Sequence, residues 1–250
     1  MEKPRPKVIS LFSGAGGLDI GFEAAGFEVA VAVEQDPSCC QTLRLNRPHR
    51  PIIEGDITKL STSEILERAG LRPLEAGLVI GGPPCQSFSL AGKRLGMDEE
   101  RGRLVFEFIR VVRESLPLAF VMENVKGMAN WNGGAALRAI EEAVSEPILY
   151  EGKKYHYTVK GKILNAANFG VPQFRERIFL VGNRIGREFK FPPPTHGPQG
   201  PQIDFFRTGQ LKPYTTVSQA IDQLPPPDEP SDLAKRISQT IKGRIERHGY

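Results

Sequence analysis

The chain of 250 residues predicts a doubly wound, mostly parallel α/β sheet. Three observations carry that expectation. Short apolar runs alternate with segments of helical period. A glycine-rich turn follows the first run directly, which lets a strand hand over sharply to a helix. The second run ends on an acid, Glu34, in the order seen when the first βα unit of such a sheet closes.

Taken in order, residues 8–12, 29–34, 78–81, 119–124 and 178–183 read as buried strands, and a short strand is expected just before Gly55. Residues 18–25, 37–46, 104–116 and 135–144 fit helices. Over 155–165, Tyr155, Tyr157 and Val159 alternate, so a further strand is expected near one edge of the sheet. From Phe191 the texture changes, with proline triplets at 192–194 and 225–227 and little periodicity between them. Two regions are therefore expected, a sheet domain over 1–190 and a proline-rich region over 191–250. Its last stretch, 231–250, is helical in pattern and basic through Lys235, Arg236, Lys242, Arg244 and Arg247. Both a solvated helix face and a nucleic-acid contact fit that pattern.

At 40% hydrophobic and 25% charged residues the chain can bury one good core. Its three cysteines, two of them adjacent at Cys39 and Cys40, cannot build a secreted disulfide framework, and no Cys/His spacing suits zinc. No metal is expected. The first residues, Met1-Glu2-Lys3-Pro4-Arg5-Pro6, lack the apolar stretch of a signal peptide and no run of the given sequence is long enough to span a bilayer, so a reducing cytoplasm is expected. A net charge of +4 permits a polyanionic partner without requiring one.

Two turns carry the chemistry. The first, Phe12-Ser13-Gly14-Ala15-Gly16-Gly17-Leu18-Asp19, lets a ligand approach the main chain and implies a nucleoside cofactor. Glu34 stands where an acid binds ribose hydroxyls, and Asp56, in Gly55-Asp56-Ile57, can accept from an exocyclic adenine amino group. Both acids equally suit caps or surface positions. Asp19 occupies the place where a dinucleotide fingerprint carries a third small residue, which disfavours NAD. In the second turn, Gly81-Gly82-Pro83-Pro84-Cys85-Gln86-Ser87-Phe88-Ser89, two prolines hold the backbone extended beyond a buried strand. A thiol there faces the crevice where open α/β sheets bind ligands, though a lone cysteine is also commonly a small buried hydrophobe.

The sequence resembles the DNA (cytosine-5) methyltransferases from about Val8 to about Gly182. Four blocks carry the likeness, in the family's order: Leu11-Phe12-Ser13-Gly14-Ala15-Gly16-Gly17-Leu18, Gly82-Pro83-Pro84-Cys85-Gln86-Ser87-Phe88-Ser89, Met122-Glu123-Asn124-Val125 and Gln173-Phe174-Arg175-Glu176-Arg177. The resemblance implies the Rossmann-like class I fold that binds S-adenosylmethionine, with that molecule as methyl donor and cytosine in double-stranded DNA as acceptor. It places Phe12, Ser13, Gly14, Gly16, Gly17, Leu18, Glu34, Asp56, Ile57, Pro84 and Leu104 at the cofactor. Cys85, Glu123, Arg175 and Arg177 would be catalytic, and Gln86, Ser87, Ser89, Asn124 and Gln173 would position the substrate. The alternatives are a tRNA cytosine-5 methyltransferase with the same residues and a silent cofactor-binding scaffold.

The chemistry asks for these residue types. Carbon 5 of cytosine is a poor nucleophile, so a thiolate must first add at carbon 6; Cys85 fits that step. Glu123, at a strand end, can supply a proton to ring nitrogen 3, although a Glu-Asn pair ending a strand also suits a helix-capping turn. Arg175 and Arg177 alternate on an extended segment and can bind the ring carbonyl or a phosphate, or simply form surface ion pairs. The target base must leave the duplex. Residues 87–103, with glycines and cations, suit a loop that closes over it and equally a solvated excursion. Members of the family continue into a target-recognition region and two further blocks, and this chain stops at Tyr250. Two expectations fit, the larger chain of a naturally split methyltransferase or a truncated form of a longer one. In either case a second polypeptide carrying those parts is expected to be needed, with weak or no sequence-specific methylation without it.

Overall fold

A computed structural model of the chain describes residues 4–84, 103–198 and 211–222, with isolated positions at 224, 232, 235, 236, 238 and 239. Cys85, Gln86, Ser87 and Ser89 lie outside the described residues, as do the expected loop up to Gly102 and nearly all of the basic 231–250 stretch.

The elements run β1 (Lys7–Leu11), α1 (Gly17–Ala24), β2 (Glu28–Glu34), α2 (Pro37–Asn46), β3 (Ile52–Glu54), α3 (Thr62–Ala69), β4 (Leu78–Gly81) and α4 (Arg103–Ser115). There follow β5 (Ala119–Val125), α5 (Gly127–Asn130), α6 (Ala135–Ser145), β6 (Ile148–Tyr150), β7 (Lys153–Tyr155), β8 (Thr158–Asn165) and β9 (Glu176–Asn183). Last come β10 (His196–Gly197), β11 (Lys212–Pro213) and α7 (Val217–Ile221). Among the described residues the main sheet has seven strands in the order β3-β2-β1-β4-β5-β9-β8. β1 to β5 are mutually parallel, whereas β9 inserts antiparallel between β5 and β8. The doubly wound, mostly parallel expectation is met, and the fold is Rossmann-like, with the order reversing between β1 and β4.

The central strands read as continuous apolar runs because both faces are covered: Val8, Ile9, Leu11, Val31, Val79 and Ile80 are all essentially inaccessible. On one face Phe108 of α4 packs edge-on to Phe120 of β5, which tilts against Tyr157. The Tyr157 hydroxyl, buried, donates to the Pro117 carbonyl at 2.7 Å, and that burial pushes its pKa up. Gly182 on β9 lies directly under Phe120, where any Cβ would overlap the ring.

Helix ends follow local chemistry. Asp36 caps α2 by accepting from the amides of Ser38 and Cys39, with Pro37 in the first turn. α3, absent from the sequence reading, begins in a capping box: Ser61 Oγ accepts from Glu64 N while the Glu64 carboxylate accepts from Ser61 N. One strand expectation is corrected. The run at 155–165 is not a single strand, because Glu151 (φ 48) and Gly152 (φ 74) form a two-residue turn that pairs β7 with β6 as a separate hairpin. The sheet strand starts at Thr158 and does lie at an edge.

Candidate active site

The site lies beyond the carboxyl ends of β1, β2, β4 and β5, where the strand order reverses. A cleft of about 180 Å³ opens there, lined by Phe12, Val33, Glu34, Gln35, Gly55, Ile57, Gly82, Pro84 and Leu104. Five of the expected cofactor residues therefore stand on one wall: Phe12, Glu34, Ile57, Pro84 and Leu104. Val33, inside β2, and Gln35, just after it, also line the cleft and carried no motif signal in the sequence.

Each wall residue is placed by a local cause. Phe12 leaves β1 with φ 52, a left-handed conformation that is uncommon for a bulky residue. Gly14 and Gly16 continue the turn with φ 54 and φ 88, and a Cβ on Gly16 would stand 2.9 Å from Leu43 Cδ2. Glu34 is held by backbone amides: Oε2 accepts from Gly14 N at 2.7 Å, and Oε1 from Gln35 N and Asp36 N at 2.8 and 2.9 Å. The carboxylate thus ties the glycine turn to the end of β2. Asp56 Oδ1 accepts from Thr58 N at 3.0 Å and Thr58 Oγ1 at 2.8 Å, so this acid caps the short turn that carries Ile57.

Other expected cofactor residues lie outside the cleft lining. Ser13 is buried, with its hydroxyl bonding towards Ser10 and the Val33 carbonyl. Leu18 packs with the cluster formed by Val8, Val29, Leu78 and Ile80. Gly16 and Gly17 open α1. None of these four, nor Gly14 or Asp56, is part of the cleft wall itself.

A second group stands at the ends of β5 and β9. Arg177 faces Val125 across the antiparallel ladder and is diagonal to Glu123, so both side chains share one face. Arg177 Nε meets Glu123 Oε1 at 2.9 Å, and Arg177 Nη1 donates to the Glu176 carbonyl at 2.8 Å. The other oxygen of Glu123 lies against the Gly82 backbone, where a Cβ would stand 3.1 Å from it. Neighbouring Lys126 pairs with Glu176 at 2.8 Å, closing the same two strand ends. Asn124 is buried and reaches across: its Nδ2 donates to the Pro83 carbonyl at 3.0 Å, while its Oδ1 accepts from Val125 N at 2.8 Å.

Arg175 and Gln173 are exposed and lie before β9 begins. The Arg175 amide donates to Asn165 Oδ1 at 3.1 Å, and its carbonyl accepts from Ala166 N. Phe174 is 75% exposed and meets Tyr214 edge-on at 5.3 Å, so part of the proline-rich region is fastened against this segment. The arrangement unites an aromatic and aliphatic slot, an acid at its end and an Arg–Glu pair beside the backbone that leads to Cys85.

Comparisons with known proteins give the family. Residues 6–242 match the family model described as C-5 cytosine-specific DNA methylase. The chain is 67% identical over 252 residues to the type II methyltransferase M.AquIA of Picosynechococcus sp. (strain ATCC 27264 / PCC 7002 / PR-6), covering all of both. Identity is 41% to M1.HphI of Haemophilus parahaemolyticus, over 87% of this chain and 52% of that one. It is 37% to M.NgoFVII of Neisseria gonorrhoeae, over 97% and 59%. The chain therefore spans the whole of one curated relative and little more than half the length of the other two. Among solved structures, a protein of E. coli assigned as a DNA modification methyltransferase encoded within a prophage aligns with a TM-score of 0.67 at 28% identity, over 88% of this chain and 55% of that one. The S. pombe Dnmt2 methyltransferase aligns with a TM-score of 0.55 at 19% identity, over 75% and 52%, a likeness of fold alone.

Proposed function

We propose, from the premise that the chain belongs to the C-5 cytosine-specific DNA methylase family, that it methylates carbon 5 of cytosine in double-stranded DNA, with S-adenosylmethionine as donor. The observation that carries this reading is the Glu123–Arg177 pair, 2.9 Å apart, set against Gly82 beside the aromatic cleft.

The cleft suits the donor. Phe12, Val33, Ile57 and Leu104 offer apolar faces for an adenine, and Glu34 accepts hydrogen bonds at the end of the slot. A carboxylate oxygen has about two acceptor sites, so Glu34 Oε2, with one amide bound, retains one for a ribose hydroxyl. When bound, S-adenosylmethionine supplies an electrophilic methyl group on a sulfonium. The protein supplies the rest. The Cys85 thiolate adds to carbon 6 of a base extruded from the duplex, which gives carbon 5 enamine character. Glu123 delivers a proton to ring nitrogen 3 as electrons move onto the ring. Arg177 orients that carboxyl and offers its remaining N–H groups to the ring carbonyl. Asn124 holds Pro83, two residues before the thiol, in register with Glu123. Arg175, Gln86, Ser87, Ser89 and Gln173 belong to the substrate side in this reading. Once carbon 5 carries the methyl group, loss of its proton to water, expulsion of the thiolate and return of the nitrogen 3 proton to Glu123 restore aromaticity.

The division at 190/191 into a catalytic domain and the start of a recognition region is part of the proposal. So is a second polypeptide that supplies base readout, motivated by relatives of which this chain's match covers only 52% and 59%. The test is covalent trapping on duplex DNA containing 5-fluorocytosine, because fluorine at carbon 5 blocks the final elimination. A denaturation-resistant adduct is expected with the wild-type chain supplemented by the candidate second chain, and none with Cys85→Ser. An adduct on tRNA alone, or none with either nucleic acid, would overturn the reading.

A further inference from the structure

Asp19 breaks the small-residue pattern of the glycine turn, and the proposed chemistry makes no use of it. In the structure it lies in the first turn of α1, 1% exposed. Its two carboxylate oxygens face different ways. Oδ1 accepts from Ser10 Oγ at 2.6 Å, and Oδ2 accepts from Arg50 Nη1 at 2.8 Å. Arg50 comes from the segment between α2 and β3 and is nearly as deep, with its side chain 6% exposed and also paired with Glu23. Arg47 grips Glu23 from the same segment at 2.8 Å.

From Asp19 the contacts continue towards the cleft. Ser10 Oγ lies 2.9 Å from Ser13 Oγ. Ser13 bonds to the Val33 carbonyl through both its amide, at 3.2 Å, and its hydroxyl, at 3.3 Å. Val33 is a wall residue, and Ser13 O accepts from Gly16 N at 2.9 Å, closing the turn that displays Phe12. An unbroken series of polar contacts thus joins Arg50, between α2 and β3, to Val33 in the cleft lining.

A buried ion pair is weak evidence for stability. Burial pushes the Asp19 carboxyl up against the opposing pull of Ser10 and Arg50, and burial pushes the Arg50 guanidinium down, so desolvation disfavours both charges. Buried pairs of this kind can often be replaced by apolar residues of similar volume without loss of stability. What the pair does have is a directional connection to one turn.

We propose that Asp19 and Arg50 are positioning residues for the cofactor cleft, acting through Ser10 and Ser13 to hold the left-handed conformations of Phe12, Gly14 and Gly16 in the shape that receives the adenosyl group. The pair works by fixing backbone, and neither residue touches the ligand. This rests on the proposed function for the identity of the ligand, but the preorganisation itself is a property of the unliganded chain.

Two variants of the full chain separate this role from general stability. Ser10→Ala cuts the connection and leaves the ion pair in place. The double variant Asp19→Leu/Arg50→Met removes the pair and keeps the volume apolar. With thermal unfolding within a few degrees of wild type, each is expected to bind S-adenosylhomocysteine about tenfold more weakly by calorimetry, a loss of about one bond's worth. Amides at 13–17 should exchange faster in hydrogen–deuterium exchange of the ligand-free chain, while those of β5 stay unchanged. Wild-type affinity and wild-type exchange in both variants would overturn the proposal. A wild-type chain that fails to bind S-adenosylhomocysteine would instead overturn the functional reading, and the exchange measurement would still decide this one.

Discussion

Glu123 and Arg177 occupy diagonal positions on adjacent antiparallel strands, a spacing that long side chains bridge without distorting the ladder. Each is only about one-fifth exposed, 21% and 23%, and a glutamine of the same shape keeps a hydrogen-bond acceptor towards Arg177 Nε. Glu123→Gln is therefore expected to leave the melting temperature nearly unchanged. Removing the proton donor should lower kcat about 10²- to 10⁴-fold, with the dissociation constant for S-adenosylhomocysteine unaltered because Glu123 is not a wall residue of the cleft. Single-turnover methylation alongside calorimetry checks both halves. At this scale the sequence was informative about placement at strand ends: Phe12 and Glu34 line one cleft, and Glu123 and Arg177 meet beside it. Asn124 is a different case. Its motif marked it for the substrate, while the fold aims its amide at Pro83. The Asp19–Arg50 pair was illegible, since 30 positions of chain separate its members and no periodicity joins them.

Elements were read most securely where a single signal dominates. α2 begins at Pro37 and ends at Asn46 as expected, because an Asp cap and a proline in the first turn define its start. α3 was missed although Ser61-x-x-Glu64 is a capping-box pattern; its eight residues supply barely two turns of periodicity. The β6–β7 hairpin was missed because its strands are only three residues long, and its Glu-Gly turn is a weaker signal than Asn-Gly. β9 depends on a glycine that sequence reasoning passed over. Gly182 sits beneath the Phe120 ring, so Gly182→Ala forces Phe120 or β9 to shift and should destabilise the fold by about 1–3 kcal/mol. Denaturant unfolding would show a lower midpoint with an unchanged slope. Since β9 carries Arg177, activity should fall further than the stability loss alone requires.

For the molecule as a whole, alternation of apolar runs with helical segments was enough to give the sheet class, whereas the antiparallel insertion of β9 between β5 and β8 was not legible, because strand direction leaves no trace in periodicity. The cleft lies among segments from both halves of the sheet, so occupying it should stabilise the entire fold. At a ligand concentration of about 100 times its dissociation constant, linkage adds about 2.7 kcal/mol. S-adenosylhomocysteine is therefore expected to raise the melting temperature by several degrees in wild type and by much less in Phe12→Ala, as scanning calorimetry would report. No helix among the described residues is long and apolar enough to cross a membrane.

The bond from Asn124 to the Pro83 carbonyl has a mechanical consequence. The acid on β5 and the exit of the chain towards Cys85 are bolted to one post. Under the proposed mechanism, any shift of β5 would carry both together, so the aim of the acid relative to the thiol would be kept.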